Sequence, residues 1–174
     1  LYALLKRMPK GGDLHTHLTG AVYAESLIQF AADSGLCLDR QSLALAQAPC
    51  TPDQAPATQA LSDPELYRSV IDAWSMRDLK PGTNGHDHFF DSFSKFDLAA
   101  KPHLSQILAE VTQRAAHGNV QYVEVMVSPD HGGAAALGTK IGYDADFKAM
   151  RQKLLDAGFA NAVEEVRKNL DALE

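Results

Sequence analysis

Two histidines in one short segment, His15 and His17, constrain this chain more than any other feature. Polar and apolar residues alternate over residues 13–18, and Thr19 and Gly20 follow, which is typical of a short strand ending in a turn. Because residues i and i+2 of a strand share a face, both imidazoles can reach one metal ion. Zinc binds neutral imidazole nitrogens at about 2.0–2.1 Å, so the pair is a candidate zinc site. The same spacing, taken alone, also fits two structural histidines.

Strands and helices alternate along the chain, and this order predicts parallel strands in an α/β fold. The second strand is predicted at residues 120–128, which are rich in β-branched residues. Apolar periodicity predicts helices at residues 1–8, 24–34, 88–98, 104–116 and 144–174, the last of them kinked near Gly158. Gly132 and Gly133 predict a loop.

Residues 36–85 are predicted to form an insertion after the first strand and its helix. Ala, Gln, Pro, Ser and Thr dominate its first half, which favours a short helix near residues 40–47 followed by a loop. Asp63 and Pro64 then predict the capped start of a further helix. The apolar stripe of that helix is Leu66, Val70 and Trp74.

Composition and charge exclude several classes of protein. Of 174 residues, 45% are hydrophobic and 22% are charged, which is typical of a globular domain and excludes disordered or collagen-like chains. The net charge of −6 argues against binding to nucleic-acid phosphates. The sequence contains no apolar stretch of the roughly 18 residues that a transmembrane helix needs, so no membrane partner is predicted.

The two cysteines, Cys37 and Cys50, leave two alternatives open. Their spacing is not that of a C-x-x-C metal or redox motif. They either form a disulfide across a surface loop or remain unrelated thiols. A disulfide would indicate the periplasm or the cell exterior, whereas free thiols would indicate the cytoplasm.

Three segments resemble the adenosine deaminase family of metal-dependent hydrolases. Residues 8–21, Met-Pro-Lys-Gly-Gly-Asp-Leu-His-Thr-His-Leu-Thr-Gly-Ala, closely resemble its first-strand signature. Residues 93–97, Phe-Ser-Lys-Phe-Asp, resemble the segment after the first barrel helix, and residues 119–126 resemble the second strand. Met126 in place of Arg, and the longer insert before His86, resemble the adenosine deaminase-related growth factor branch.

The resemblance implies roles for particular residues of this chain. The implied zinc ligands are His15 and His17, and the implied substrate-binding residues are His17, Thr19, Gly20, Phe93 and Phe96. Thr19 stands where the family often has an Asp that contacts the ribose, and a hydroxyl can bond a sugar but carries no charge. Gly20 would keep the backbone close to the substrate. Phe93 and Phe96 would close an apolar lid over the base, although both also suit a plain core.

The implied reaction is zinc-dependent hydrolytic deamination of adenosine, or a related purine nucleoside, to inosine and ammonia. Zinc lowers the pKa of its bound water, and the resulting hydroxide attacks the purine. The implied fold is the N-terminal portion of a TIM (β/α)8 barrel, which needs roughly 250 residues. We therefore expect the remaining barrel strands, with the catalytic Glu, His and Asp, beyond Glu174, and we expect the isolated chain to be inactive.

Two other functions stay open. Thr19 in place of Asp leaves room for a deaminase that acts on a different aminopurine or a nucleotide. Alternatively, the insertion at residues 36–85 could serve dimerisation or partner binding in a growth-factor-like protein in which catalysis is secondary. A homodimer is the assembly that this second alternative predicts.

Other ionisable residues are weaker candidates for a site. His86 and His88 enter a predicted helix, where residues i and i+2 do not share a face, so capping and packing are favoured over metal binding. His131 lies near the end of the second strand and is interpreted as a loop residue. Glu124 is expected to point inward from that strand and to pair with a basic or polar neighbour.

Overall fold

Helices and short strands divide the chain into two units in the computed structural model, which describes residues 1–173. The first unit, Leu1–Val125, contains α1 (Tyr2–Arg7), β1 (Gly12–His17), α2 (Leu18–Ala21), α3 (Ala24–Asp33), β2 (Cys37–Asp39), β3 (Leu45–Ala46), β4 (Gln54–Pro56), α4 (Thr58–Ser62), α5 (Pro64–Trp74), α6 (Gly85–Ala100), α7 (Leu104–His117) and β5 (Tyr122–Met126), whose last residue begins the second unit. The second unit contains α8 (Gly133–Ile141), α9 (Phe147–Asp156) and α10 (Asn161–Asp171). None of the helices described here is both long and apolar enough to cross a membrane.

The strand with the histidine pair, β1, lies beside β5, and the two run parallel. Backbone bonds begin the pairing: the amide of Lys10 donates to Asn119, and the amide of Gln121 donates to Gly11, each at 2.8 Å. The parallel pairing predicted for these strands is confirmed. The barrel that the resemblance implies stays a prediction.

Glu124 is exposed on β5, and its expected inward orientation stays a prediction that depends on the barrel. The expected polar partner is present, since the Tyr122 hydroxyl donates to Glu124 Oε1 at 2.9 Å. That bond to a carboxylate raises the pKa of Tyr122, because a negative neighbour disfavours the phenolate.

The core of the first unit forms where α3 meets the helices that follow it. Leu27, Ile28 and Ala31 of α3 are each only 1% exposed, as the helical spacing predicts. On α5, Val70 and Trp74 are buried and Leu66 is half-buried, so the predicted stripe does face inward. Burying each large apolar side chain stabilises the fold by about 1.5–3 kcal/mol.

Side-chain caps start the helices that surround this core. The Asp63 carboxylate accepts bonds from the amides of Glu65 and Leu66, which confirms the predicted cap of α5. At α6 the Asn84 side chain accepts from the amides of His86 and Asp87, so the cap is Asn84 and not a histidine. Each cap satisfies amides that have no partner within the helix.

The predicted helix near residues 40–47 is wrong, because residues 37–56 form an antiparallel sheet in the order β3-β2-β4. Leu38 lies opposite Leu45 on one side and Ala55 on the other. The turn after β2 is held by the Asp39 carboxylate, which accepts from the amide and hydroxyl of Ser42. Leu43 in that turn has a φ of 57°, a left-handed conformation that a helix does not use.

A disulfide between Cys37 and Cys50 closes this sheet, with the two Cα atoms 5.4 Å apart. Of the two alternatives for the cysteines, the structure therefore has the bonded pair. Cys37 is completely buried in β2, whereas Cys50 is exposed in the connection between β3 and β4.

A charged cluster fixes the chain just beyond the histidine strand. Glu110 of α7 accepts from the Tyr23 amide at 3.0 Å and from the Ser26 hydroxyl at 2.5 Å. Arg114 pairs with Glu110 at 3.0 Å and donates to the carbonyl of Ala21. The Arg114 guanidinium also lies 4.2 Å from the centre of the Tyr23 ring, which suits a cation–π contact. The segment after α2 is thereby tied to α7.

The second unit is helical throughout much of its length but has no buried side chain among residues 126–173. The loop predicted at Gly132 and Gly133 is present only at Gly132, because α8 begins at Gly133. Gly132 adopts a φ of 84° immediately before the helix, and the alanines that follow are good helix formers. The predicted kink is confirmed, since Gly158 has a φ of 92° between α9 and α10.

Candidate metal and substrate site

The imidazoles of His15 and His17 converge on the same side of β1. Their Nε2 atoms are 3.2 Å apart, and both side chains are exposed. Two nitrogens of a tetrahedral zinc site, each about 2.0–2.1 Å from the ion, lie about 3.3–3.4 Å from one another. The donor type and the nitrogen spacing are compatible with a zinc ion and equally with a hydrogen bond between the two rings, so zinc binding stays a prediction.

A carboxylate accompanies the pair. Asp13 accepts from the His15 amide at 3.4 Å. The Thr16 hydroxyl and that amide hold the pKa of Asp13 below its ordinary value, because both stabilise the charged form. Asp13 is thus ionised near neutral pH and adds negative charge to the strand that carries the histidines.

The histidine pair has no third protein ligand in the described part of the chain. No group of three or more His, Cys, Asp or Glu residues is arranged there to hold a metal ion. The second histidine pair does not converge, because His86 contacts Asp87 at 3.0 Å while His88 Nε2 contacts the carbonyl of Ser75 at 2.9 Å. His131 is exposed in a turn before α8.

Four of the five predicted substrate residues line one cavity of about 150 Å³. Thr19 and Gly20 come from α2, which begins directly after His17, and Phe93 and Phe96 come from one face of α6. Residues far apart in the chain are therefore brought together, and their role toward a substrate stays a prediction. The fifth, His17, belongs to the metal pair just described.

Gly20 and Phe93 touch so closely that a side chain at residue 20 has no room. A Cβ added to Gly20 would lie 2.9 Å from Phe93 Cζ and 3.1 Å from Cε1. The Phe93 and Phe96 ring centres are 5.4 Å apart, which is ordinary for packed aromatic rings. Gly20 thus lets an aromatic ring form the wall of the cavity beside α2.

The resemblance missed several residues that complete the cavity. They are Val22, Leu27, Trp74, Ser75, Met76, Phe89 and Ser92. Trp74 is 4% exposed, and its ring centre is 6.3 Å from that of Phe96. It comes from the segment predicted to be an insertion, so this segment helps to build the candidate site. The sequence feature that could have pointed to Trp74 was a single tryptophan in an apolar stripe, because a buried indole N–H needs a hydrogen-bond partner.

A second cavity, of about 390 Å³, contains none of the predicted site residues. Its lining includes Asp72 of α5, His88 of α6, and Asp78, Lys80 and Thr83 of the segment between these helices. Although it is larger, the smaller cavity is the stronger candidate, because it combines aromatic walls with the turn that follows the histidine pair.

The chemistry available is binding of a metal by two imidazoles and burial of a small planar group between aromatic rings. No family model, curated protein or solved structure matches this chain. The functional assignment therefore depends on the geometry of the two sites.

Proposed function

We propose that this chain contributes to the active site of a zinc-dependent aminohydrolase that converts adenosine, or a related purine nucleoside, to inosine and ammonia. The observation that carries the proposal is the 3.2 Å separation of His15 Nε2 and His17 Nε2, on a strand that leads directly into the turn lining the cavity. The same separation is also that of a hydrogen bond between the two rings, and the zinc measurement below distinguishes the two.

His15 and His17 would hold the zinc ion through their Nε2 atoms as neutral ligands. When bound, zinc supplies an activated water for hydrolysis of an amino group on a purine. Thr19 would donate or accept a hydrogen bond at a sugar hydroxyl. Phe93 and Phe96 would shield the base from water, because aromatic rings present apolar surface and stack on other rings.

The cavity volume bears on how much of a nucleoside it can take. About 150 Å³ is well below the roughly 300–1,000 Å³ of ordinary small-molecule sites, so it holds only part of a nucleoside. Other residues would complete the metal coordination and supply the general acid and base.

A metal and activity assay of the full-length protein tests this proposal. We expect about one zinc per site and hydrolysis of adenosine, with His15→Ala and His17→Ala each losing zinc and almost all turnover. Adenosine, adenine and AMP are assayed side by side, because Thr19 lacks the charge of the usual Asp. Preference for adenine or AMP would support the alternative substrate.

The matched control is His117→Ala, which removes an exposed histidine that contacts only a backbone carbonyl of its own helix. It should keep the zinc content and turnover of the wild type. Absence of zinc, together with no deamination of any of the three substrates, would refute the enzyme and favour the dimerising alternative. The homodimer of that alternative would then be sought by measuring the molar mass in solution.

The disulfide supports a location in an oxidising compartment, either the periplasm or the cell exterior, because such bonds persist there. Mass spectrometry of thiol-alkylated protein from cells checks this. Recovery of both cysteines in alkylated form would contradict it.

A further inference from the structure

Trp74 is anchored in the wall of the candidate cavity by a bond to a distant loop. Its indole Nε1 donates to the carbonyl of Leu43 at 2.7 Å. Leu43 lies in the turn between β2 and β3, thirty-one residues away along the chain. The indole has this one donor, so the carbonyl of Leu43 sets how the ring is turned.

The turn that holds Trp74 belongs to the small sheet β3-β2-β4 and is closed by local bonds, among them those from the Ser42 amide and hydroxyl to the Asp39 carboxylate. The β2–β3 pairing consists of two residue pairs, Cys37 with Ala46 and Leu38 with Leu45. On its other side β2 pairs with β4, from Cys37 with Pro56 to Asp39 with Gln54. The Cys37–Cys50 disulfide adds a covalent restraint to this sheet, because it closes the loop that contains the turn.

Trp74 also lies beside the predicted substrate residues. Trp74 lines the same cavity as Thr19, Gly20 and Phe93, and its ring packs against Phe96. The loop that the disulfide closes thus reaches a residue of the cavity wall through the Leu43 carbonyl.

We infer that Trp74 is a positioning residue of the candidate site and that the disulfide-closed loop orients its ring, so that the redox state of Cys37–Cys50 sets the shape of the cavity. This inference depends on the proposed function only for the identity of the ligand. Opening the loop releases the Leu43 carbonyl, lets the indole turn and weakens binding of an aromatic ring beside it.

The chemistry of the switch needs a dithiol reductant. A thiolate of the dithiol attacks the sulfur of Cys50, which is exposed, and breaks the bond to the sulfur of Cys37. The second thiol of the reductant then displaces Cys50. The dithiol is oxidised to a cyclic disulfide, and two electrons and two protons pass to the two cysteines.

Trp74 reports its own environment, because it is the only tryptophan in the sequence. Its emission and its quenching by acrylamide are measured in oxidised protein and after dithiothreitol, with two free thiols per chain confirming complete reduction. We expect emission to move to longer wavelength and quenching to increase. Adenosine binding is measured by equilibrium dialysis, without added zinc so that no turnover occurs. After reduction, the dissociation constant should rise about three- to tenfold, which corresponds to the loss of one hydrogen bond.

Two variants separate this coupling from general loosening of the fold. Cys50→Ser should show the emission of reduced protein whether or not dithiothreitol is present. In Trp74→Phe, which keeps an aromatic ring but has no N–H donor, reduction should change adenosine binding by less than about twofold, since no bond to Leu43 remains to be lost.

The results divide cleanly between the two proposals. Unchanged Trp74 emission after complete reduction would overturn the inference. Loss of the helical signal in far-UV circular dichroism would also overturn it, because the disulfide would then stabilise the whole fold and not the orientation of one ring. A shift in emission with no adenosine binding in either state would uphold the coupling and refute the nucleoside assignment.

Discussion

Gly20 shows how one missing side chain determines the packing at the candidate site. Gly20→Ala would gain about 1 kcal/mol of helix propensity, but its Cβ would fall within 3 Å of the Phe93 ring. Forcing a packed ring to move costs about 1–3 kcal/mol, so the clash outweighs the gain. We expect a net loss of up to about 2 kcal/mol in the free energy of unfolding, measured by denaturant titration.

Gly138→Ala is the matched control for that substitution. Gly138 is also helical, and nothing lies within 4 Å of the position that its Cβ would take. It should stabilise α8 by about 1 kcal/mol. Phe93→Leu provides a second check, because the smaller side chain should reduce the cost of Gly20→Ala in the double variant. Equal costs in both backgrounds would show that Phe93 is not the obstacle.

Individual site residues were predictable where local spacing determines direction. The i, i+2 rule for strands was enough to bring His15 and His17 to one side of β1. The contact of Trp74 with Leu43 was not predictable, because it joins residues whose separation along the chain carries no periodic signal. The indole N–H only indicated that some acceptor had to exist.

At the level of elements, the Asp63 cap should contribute measurably to α5. Asp63→Ala removes the acceptor for the amides of Glu65 and Leu66 and should lower the free energy of unfolding by about 1 kcal/mol. Asp63→Ser keeps an acceptor oxygen and should recover most of that loss in thermal denaturation. If the serine variant were as unstable as the alanine variant, capping would not be the cause.

An ion pair connects α3 to the segment after α5 and makes stability depend on pH. The Arg77 guanidinium bonds Glu25 at 2.5 and 3.2 Å and holds the pKa of Glu25 below its ordinary value of 4.5. Because the folded pKa is the lower one, this stabilisation is present above about pH 4.5 and is lost as the pH falls through the folded pKa.

We therefore expect the melting temperature to fall with pH below about 4.5, and to fall less steeply in Glu25→Gln. Melting curves between about pH 3 and 6 measure this dependence. Glu165→Gln, which alters a carboxylate with no ion pair in the described structure, should retain the wild-type slope. A Glu25→Gln slope equal to that of the wild type would assign the acid sensitivity to other groups.

Elements with a strong internal signal were predictable, and elements made by long-range pairing were not. The spacing of apolar residues and the caps were enough to predict α3 and α5. Residues 40–47 contain leucine and alanine, whose helix propensity favoured the wrong structure. Pairing of β2 with β4, whose nearest partners along the chain are Asp39 and Gln54, and the Cys37–Cys50 bond override that weak preference.

On the scale of the whole molecule, the two units differ in how much they bury. Large apolar side chains of the second unit remain exposed, among them Tyr143 at 80%, Phe147 at 70% and Val163 at 58%. Helices gain most of their stability from packing an apolar face, and these helices pack little. Native-state hydrogen exchange should therefore show faster exchange for amides of α9 and α10 than for those of α3 and α5.

Equal protection of the four helices would mean that the exposed apolar faces are covered in solution. Repeating the exchange at several protein concentrations tests whether self-association covers them, because self-association makes the protection of α9 and α10 increase with concentration.

Parallel pairing of β1 and β5 was predictable from the order of elements. The exposure of the second unit was not, since helical periodicity indicates which face is apolar but not what covers it.

The pairing of β1 with β5 also sets when the histidine strand becomes ordered during synthesis. Lys10 bonds Asn119, so 119 − 10 = 109 residues separate the two ends of the first contact between these strands. At about 5–20 residues per second, a ribosome takes roughly 5–20 s to add them. His15 and His17 thus emerge long before their supporting strand exists, and any metal captured in that interval is bound by a flexible peptide.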